Sequence, residues 1–212
     1  MGNLAGPASA KAMTVGIDFD NTIVSYDKLF HRVAVENGQV PPNCPARKES
    51  VRDFLRQMGR EEIWTELQGT IYGHRMGEAE AFPGALETLA CLKGAGHRVL
   101  VISHRTRHPF LGPRHDLHAA ARQWLAAHGF FDPQGLGFVP EEVFFEPTKE
   151  EKLARIGREA CTHFIDDLPE ILTHPLFPSG VAKLLFAPAR PGKEDVLPRA
   201  STWPEVHTWL TG

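Results

Sequence analysis

Apolar residues fall into two rhythms that alternate along most of this chain. Met13-Thr14-Val15-Gly16-Ile17 is short, apolar and β-branched, and predicts a buried strand of a parallel sheet. Residues 26–40 take a helical spacing, with Leu29, Phe30, Val33 and Val35 as the apolar face. Three prolines within Val40–Pro45 forbid helix and central strand, so a loop follows. Helical patterns return at Ser50–Met58 and Glu61–Leu67, so the stretch from 26 to 80 is all helical and interrupts a β-α-β rhythm. The rhythm resumes at Phe82-Pro83-Gly84, where Pro83 can open a helix from Ala85 to Lys93 that Gly94 and Gly96 stop. Strands are predicted at His97–Ser103, Glu142–Glu146, Thr162–Asp166 and Lys183–Ala187. Helices are predicted at Leu117–His128, Glu150–Ala160 and Pro204–Leu210. The fold class is therefore α/β: a Rossmann-like parallel sheet with helices on both faces, plus a small all-helical unit inserted after the first strand. The divisions are a loose tail at 1–12, a core at 13–25 and 81–212, and the helical insertion at 26–80.

Composition narrows the function more than the fold. With 42% hydrophobic residues, the 212-residue chain can bury an ordinary core, which excludes disorder. A net charge of −3 gives no reason to expect nucleic acid or a membrane surface as partner. Cys44, Cys91 and Cys161 are odd in number and far apart, which fits a reducing cytoplasm rather than a disulfide framework. The Gly-, Ala- and Ser-rich start has no basic region followed by an apolar one and reads as a tail, not a signal peptide. Nothing approaches the roughly 18 apolar residues of a membrane span.

Polar residues of catalytic type collect where predicted strands end: Asp18, Asp20, Ser103, Asp166 and Asp167. Ligands of parallel sheets bind beyond those carboxyl ends. Asp18 and Asp20 stand two apart, so on an extended chain both face one way. Such a pair suits covalent catalysis, in which one carboxylate attacks and its neighbour moves protons; the plainer reading of Asp20-Asn21-Thr22 is a turn. Asp166 and Asp167 repel one another unless a cation or lysine is near. Ser103 alone reads first as a strand-end cap, and Lys152, flanked by Glu150 and Glu151, can be read as part of a charged face. Between Ser103 and His118 the chain carries Arg105, Arg107 and Arg114 with His104, His108, His115 and His118. This segment reads either as a loop recognising a second anionic group or as a solvated basic loop; no closed ligand set for zinc is evident. In the insertion, Tyr26, Lys28, Trp64, Tyr72, His74 and Arg75 could face a cleft, although aromatics at helical spacing belong more often to a core.

Four of these elements resemble the haloacid-dehalogenase-like (HAD) hydrolase superfamily. Asp18-Phe19-Asp20-Asn21-Thr22 looks like its D-x-D-x-T motif, Ser103 like its second, Lys152 or failing it Lys149 like its third, and Phe164-Ile165-Asp166-Asp167 like its acidic fourth. The resemblance spans about residues 13–187 and makes the insertion a mobile cap closing over a small substrate. It implies a phosphatase that forms an aspartyl-phosphate with Mg²⁺. Asp18 would be nucleophile and ligand, and Asp20 proton carrier and, through its backbone carbonyl, a further ligand. Asp166 and Asp167 would complete the metal shell, with the direct ligand left open. Ser103 and Lys152 would serve catalysis, and Thr22, His104, Arg105 and Lys149 substrate binding. Family dehalogenases lack an acid at the position of Asp20, which favours phosphoryl chemistry here, while phosphomutases keep both acids. The expected partner is a small phosphate ester, with no nucleic acid or membrane; oligomeric state stays open. A non-catalytic module retaining the fold is the alternative of a different class.

Overall fold

The computed structural model describes residues 12–188 and 197–212. The tail expected at 1–12 lies outside them except for Ala12. Strand β1 (Thr14–Ile17) leads through β2 (Val24–Ser25) into three helices, α1 (Asp27–Glu36), α2 (Lys48–Gln57) and α3 (Glu61–Tyr72). After β3 (Glu80–Ala81) come α4 (Ala85–Gly94), β4 (Arg98–His104), α5 (Leu117–Ala127), β5 (Val143–Glu146) and α6 (Lys149–Arg158). The chain closes with β6 (His163–Asp166), α7 (Pro169–Leu172), β7 (Ala182–Phe186), β8 (Arg199–Ala200) and α8 (Trp203–Thr211). Among the described residues, no helix is long and apolar enough to cross a membrane.

Six strands form one sheet in the order β5-β4-β1-β6-β7-β8, and every neighbouring pair is parallel. Its strands read as unbroken apolar runs because both faces are covered. On β4, Val99 and Val101 pack into the layer that holds Trp124 of α5 and Trp203 of α8. Leu100 and Ile102 pack into the opposite layer, with Leu153 of α6 and Ile171 of α7. From β1 the sheet runs to β4 on one side and to β6 on the other, so the strand order reverses there and leaves a crevice at the carboxyl ends. Asp18, Ser103 and Asp166 come from those three adjacent strands.

Gly16 sets how closely the central strands approach. It is paired with Phe164 in the β1–β6 register, and a Cβ at position 16 would lie 2.6 Å from that ring. Gly16→Ala should cost about 1–3 kcal/mol by overpacking. A urea midpoint within error of the parent would contradict this.

The insertion enters and leaves through a two-stranded antiparallel ribbon that pairs Val24 with Ala81 and Ser25 with Glu80. Its three helices pack around aromatic rings. Phe30 lies 5.0 Å from Trp64 and 5.8 Å from Tyr72 between centroids, and Tyr26 lies 5.0 Å from Tyr72. The helix expected over 26–40 stops at Glu36, where Asn37 and Gly38 (φ +63°) turn the chain. The pieces β2, β3, β8 and α7 were not expected: two to four residues are too few to show a period.

Candidate active site

β1 delivers Asp18 into the crevice, where its backbone N–H still donates to Ile165 O of β6 (2.9 Å). The chain then turns through Asn21, which takes a left-handed conformation (φ 59°) that Asn tolerates. The turn and the site are thus one structure. Asp18 Oδ1 accepts from Ser103 Oγ (2.9 Å) and Lys152 Nζ (2.6 Å), and Thr22 Oγ1 reaches Oδ2 at 3.5 Å. Lys152 Nζ also donates to Asp166 Oδ2 (2.6 Å), and Asp166 Oδ1 accepts the N–H of Leu168 (2.9 Å).

The lysine alternative is decided by the start of α6. Thr148 caps it by accepting from the N–H of Glu151 (3.1 Å), and its hydroxyl donates to the Glu151 carboxylate (3.0 Å). Lys152 then points inward and is 1% exposed, while Glu150 and Glu151 stay in solvent. Lys149, expected among the substrate-binding residues, is instead a partly exposed residue that pairs with Glu170 of α7 at 3.5 Å. It does not line the cavity.

Carboxylate oxygens of Asp18, Asp166 and Asp167 all lie within 4.8 Å of one another, the one such group of potential metal ligands among the described residues. Burial pushes Asp18 up to about 7, with Asp166 and Asp20 adding to the shift and Lys152 opposing it. Burial also holds Asp167 well above the usual carboxylate range, again with Asp18 and Asp166 raising it. Lys152 is raised: burial opposes its charge, but Asp166 and Asp18 outweigh it. One ammonium wedged among three crowded carboxylates leaves negative charge uncompensated, and an all-oxygen donor set suits a hard divalent cation. The residues therefore fit Mg²⁺. The histidines of 104–118 form no comparable group.

Arg105 departs from expectation. It is brought to the site but is 4% exposed and is not free for a second anion. Its guanidinium clamps both oxygens of Asp20 (2.6 and 2.8 Å) and donates to Tyr72 O (2.7 Å) and Leu117 O (3.0 Å). Tyr26 also donates to Asp20, and burial with the Asp20 charge keeps its phenol well above its ordinary range. Asp20 is thus tied to the last turn of α3, in the insertion. The segment after Arg105 lies against the same helix: a Cβ on Gly69 would meet Pro109 Cβ at 2.8 Å. Arg105→Met should cost about 2–5 kcal/mol, because Asp20 loses its charge partner and two carbonyls lose their donor. Chemical denaturation reads this; a cost under 1 kcal/mol would mean that the clamp adds little.

The remaining candidates divide. His104 is half-buried at the cavity wall, with Nε2 3.2 Å from Pro147 O; burial lowers its pKa. Arg107 is exposed and pairs with Asp116 (3.1 Å). Trp64 is core, Lys28 and Arg75 are tied to acids of the insertion and its ribbon, and Tyr72 lines the cavity.

That cavity, about 360 Å³, extends from Asp18, Ser103 and Lys152 to α2 and α3. Two cations on its far wall, Lys48 and Arg52, were not singled out from sequence. Their i, i+4 spacing is the signal that could have found them. Lys48 Nζ lies 5.7 Å from the Phe30 centroid and 5.6 Å from that of Tyr72. Burial opposes its charge, but Tyr72, Asp167 and Asp20 outweigh it and raise its pKa.

No family model and no curated protein matches this chain. Solved structures do. A HAD-family hydrolase from Deinococcus radiodurans R1, with bound phosphate and sodium, aligns at TM-score 0.55 and 16% identity over 94% of this chain and 95% of its own. A putative HAD-hydrolase from Bacillus subtilis, bound to magnesium, aligns at TM-score 0.56 and 14% identity over 96% of this chain and 100% of its own. An L-2-haloacid dehalogenase aligns at TM-score 0.55 and 12% identity over 96% and 100%. Likeness at this level of identity speaks for architecture, and on that ground the chain has the haloacid-dehalogenase-like fold.

Proposed function

We propose that this chain is a Mg²⁺-dependent phosphomonoester hydrolase acting on a small phosphorylated molecule through an aspartyl-phosphate on Asp18. One observation carries the reading. A buried carboxylate pinned by Ser103 and Lys152 shares a cavity with a second acid, Asp20, and stands beside the crowded pair Asp166 and Asp167.

Asp18, Asp166 and Asp167 would hold the cation, which when bound neutralises the phosphate and lets an anionic nucleophile approach it. Ser103 and Lys152 orient the Asp18 carboxylate through Oδ1 and offset charge that builds on the phosphoryl oxygens. Asp18 forms the bond to phosphorus as the ester oxygen leaves, and Asp20 delivers the proton that oxygen needs. Asp20 then takes a proton from water, whose oxygen attacks phosphorus and releases inorganic phosphate and free Asp18. The Arg105–Asp20 clamp has to open for Asp20 to reach the leaving oxygen, and its tie to α3 couples that opening to movement of the insertion. The magnesium and phosphate carried by the two hydrolase neighbours support this reading. A dehalogenase is also similar, but a departing halide needs no proton and leaves Asp20 without a task.

Hydrolysis of an aryl phosphate with Mg²⁺ and with excess chelator tests the proposal. Turnover that the chelator abolishes is expected. Absence of metal-dependent turnover on a broad phosphate panel would favour a non-catalytic module, and halide release from a 2-haloacid would favour dehalogenation. Asp20→Asn should slow alkyl esters by about 10²–10⁴-fold and activated aryl esters far less, because good leaving groups need little protonation. Equal losses on both would count against Asp20 as the acid.

A further inference from the structure

The cavity has two ends of opposite character. Its floor carries the phosphate-handling residues, while its far wall, on the inserted helices, presents Lys48 and Arg52 one turn apart on α2. Among the described residues no carboxylate lies within ion-pair distance of Lys48, which is half-buried over Phe30 and Tyr72. Its position is fixed from below, since its backbone N–H donates to Asp27 Oδ1 (2.9 Å). Arg52 pairs with Asp53, its sequence neighbour, at 2.9 Å in a largely exposed contact that is worth little and yields readily to a better acceptor. Glu49 lines the same cavity between them in sequence, a quarter-turn around the helix, where it suits a substrate hydroxyl rather than an anion.

A desolvated ammonium whose nearest acids, Asp167 and Asp20, lie beyond ion-pair distance, next to a guanidinium held only by an exposed neighbour, is a receptor for an anion. Arg105 cannot serve, because Asp20 and two backbone carbonyls already take up its donors. We propose that the leaving group of the substrate carries a second acidic group, a carboxylate or a phosphate, which Lys48 and Arg52 receive while the phosphoryl group sits at Asp18. This rests on the phosphatase reading and adds the substrate class to it. The cavity volume of about 360 Å³ lies near the lower end of the range for small-molecule sites, so a compact substrate spans both ends.

The test uses a homologous series of short ω-phosphoryloxyalkanoates, each compared with its primary amide, together with the matching alkanediol bisphosphates. At the best chain length, kcat/KM for the acid should exceed that for the amide by roughly 10-fold or more. Lys48→Met keeps the packing over Phe30 and Tyr72, and Arg52→Met lies on an accessible helix face; in each the acid-to-amide ratio should fall toward one, mainly through KM. Whether the carboxylate or the bisphosphate of matched length has the larger kcat/KM relative to the neutral amide identifies the second group. A parent ratio near one at every length, or a ratio that survives in either variant, overturns the two-point site. A uniform slowing of acids and amides alike in the Lys48 variant would also overturn it, since Lys48 would then only balance Asp167 and Asp20. Turnover without preference defeats the subsite alone. No turnover of any ester with Mg²⁺ defeats the phosphatase reading, and the subsite with it.

Discussion

Asp18→Asn should lower the turnover of every phosphate ester by on the order of 10⁵-fold or more. Asn is isosteric, and its amide oxygen can still accept from Ser103 and Lys152, as Asp18 Oδ1 does. The cavity therefore keeps its shape while losing the carboxylate that the proposed mechanism uses to attack phosphorus. Asp20 cannot substitute for it, because its oxygens face Arg105 and Tyr26 instead of the Ser103–Lys152 pair. Weaker Mg²⁺ binding should accompany the loss, since one of three crowded carboxylates is gone. Burst and steady-state assays at saturating Mg²⁺ separate the two effects. Residual turnover within about 10²-fold of the parent would mean that the nucleophile is some other group.

Lys152→Met should be nearly as damaging to turnover and far more damaging to the fold. Among the described residues its ammonium is the one cation bonded to both Asp18 and Asp166, and all three side chains are buried. Removing one partner of such a pair costs about 3–5 kcal/mol because the charges left behind stay desolvated. The cost depends on pH. The folded pKa of Asp18 is raised from 3.8 to about 7, so its contribution to stability is fully present below 3.8 and is lost as pH rises through about 7. Without Lys152, no cation bonded to Asp18 opposes that rise; only the Ser103 and Thr22 hydroxyls still donate to it. In chelator, the deficit of the variant should be smaller near pH 5, where the folded state keeps Asp18 protonated, than near pH 8. Equal deficits at both pH values would show that packing, not charge, is what Lys152 contributes.

The chain announces its core and hides its clamps. Val99–Ile102 are all buried, so one apolar run states that β4 is covered on both faces, and Asp18, Ser103 and Asp166 stand where such runs end. Lys152 was harder to read beside Lys149, because both lie in the same charged segment; burial, which separates them, comes from the cap at Thr148 and the docking of α6. Arg105 was misread for a related reason. Neighbouring arginines and histidines give a solvated or ligand-binding appearance, and its partner Asp20 is 85 positions away. Lys48, between Arg47 and Glu49, likewise looks like ordinary helix surface until Phe30 and Tyr72 close over it.

Covalent capture of the phosphoryl group tests the central claim most directly. Protein mixed with Mg²⁺ and substrate, quenched in acid and reduced with borohydride should contain homoserine in place of aspartate at position 18, because an acyl phosphate is reducible and a free carboxylate is not. Homoserine at any other acid, or none while phosphate is being released, would contradict the account.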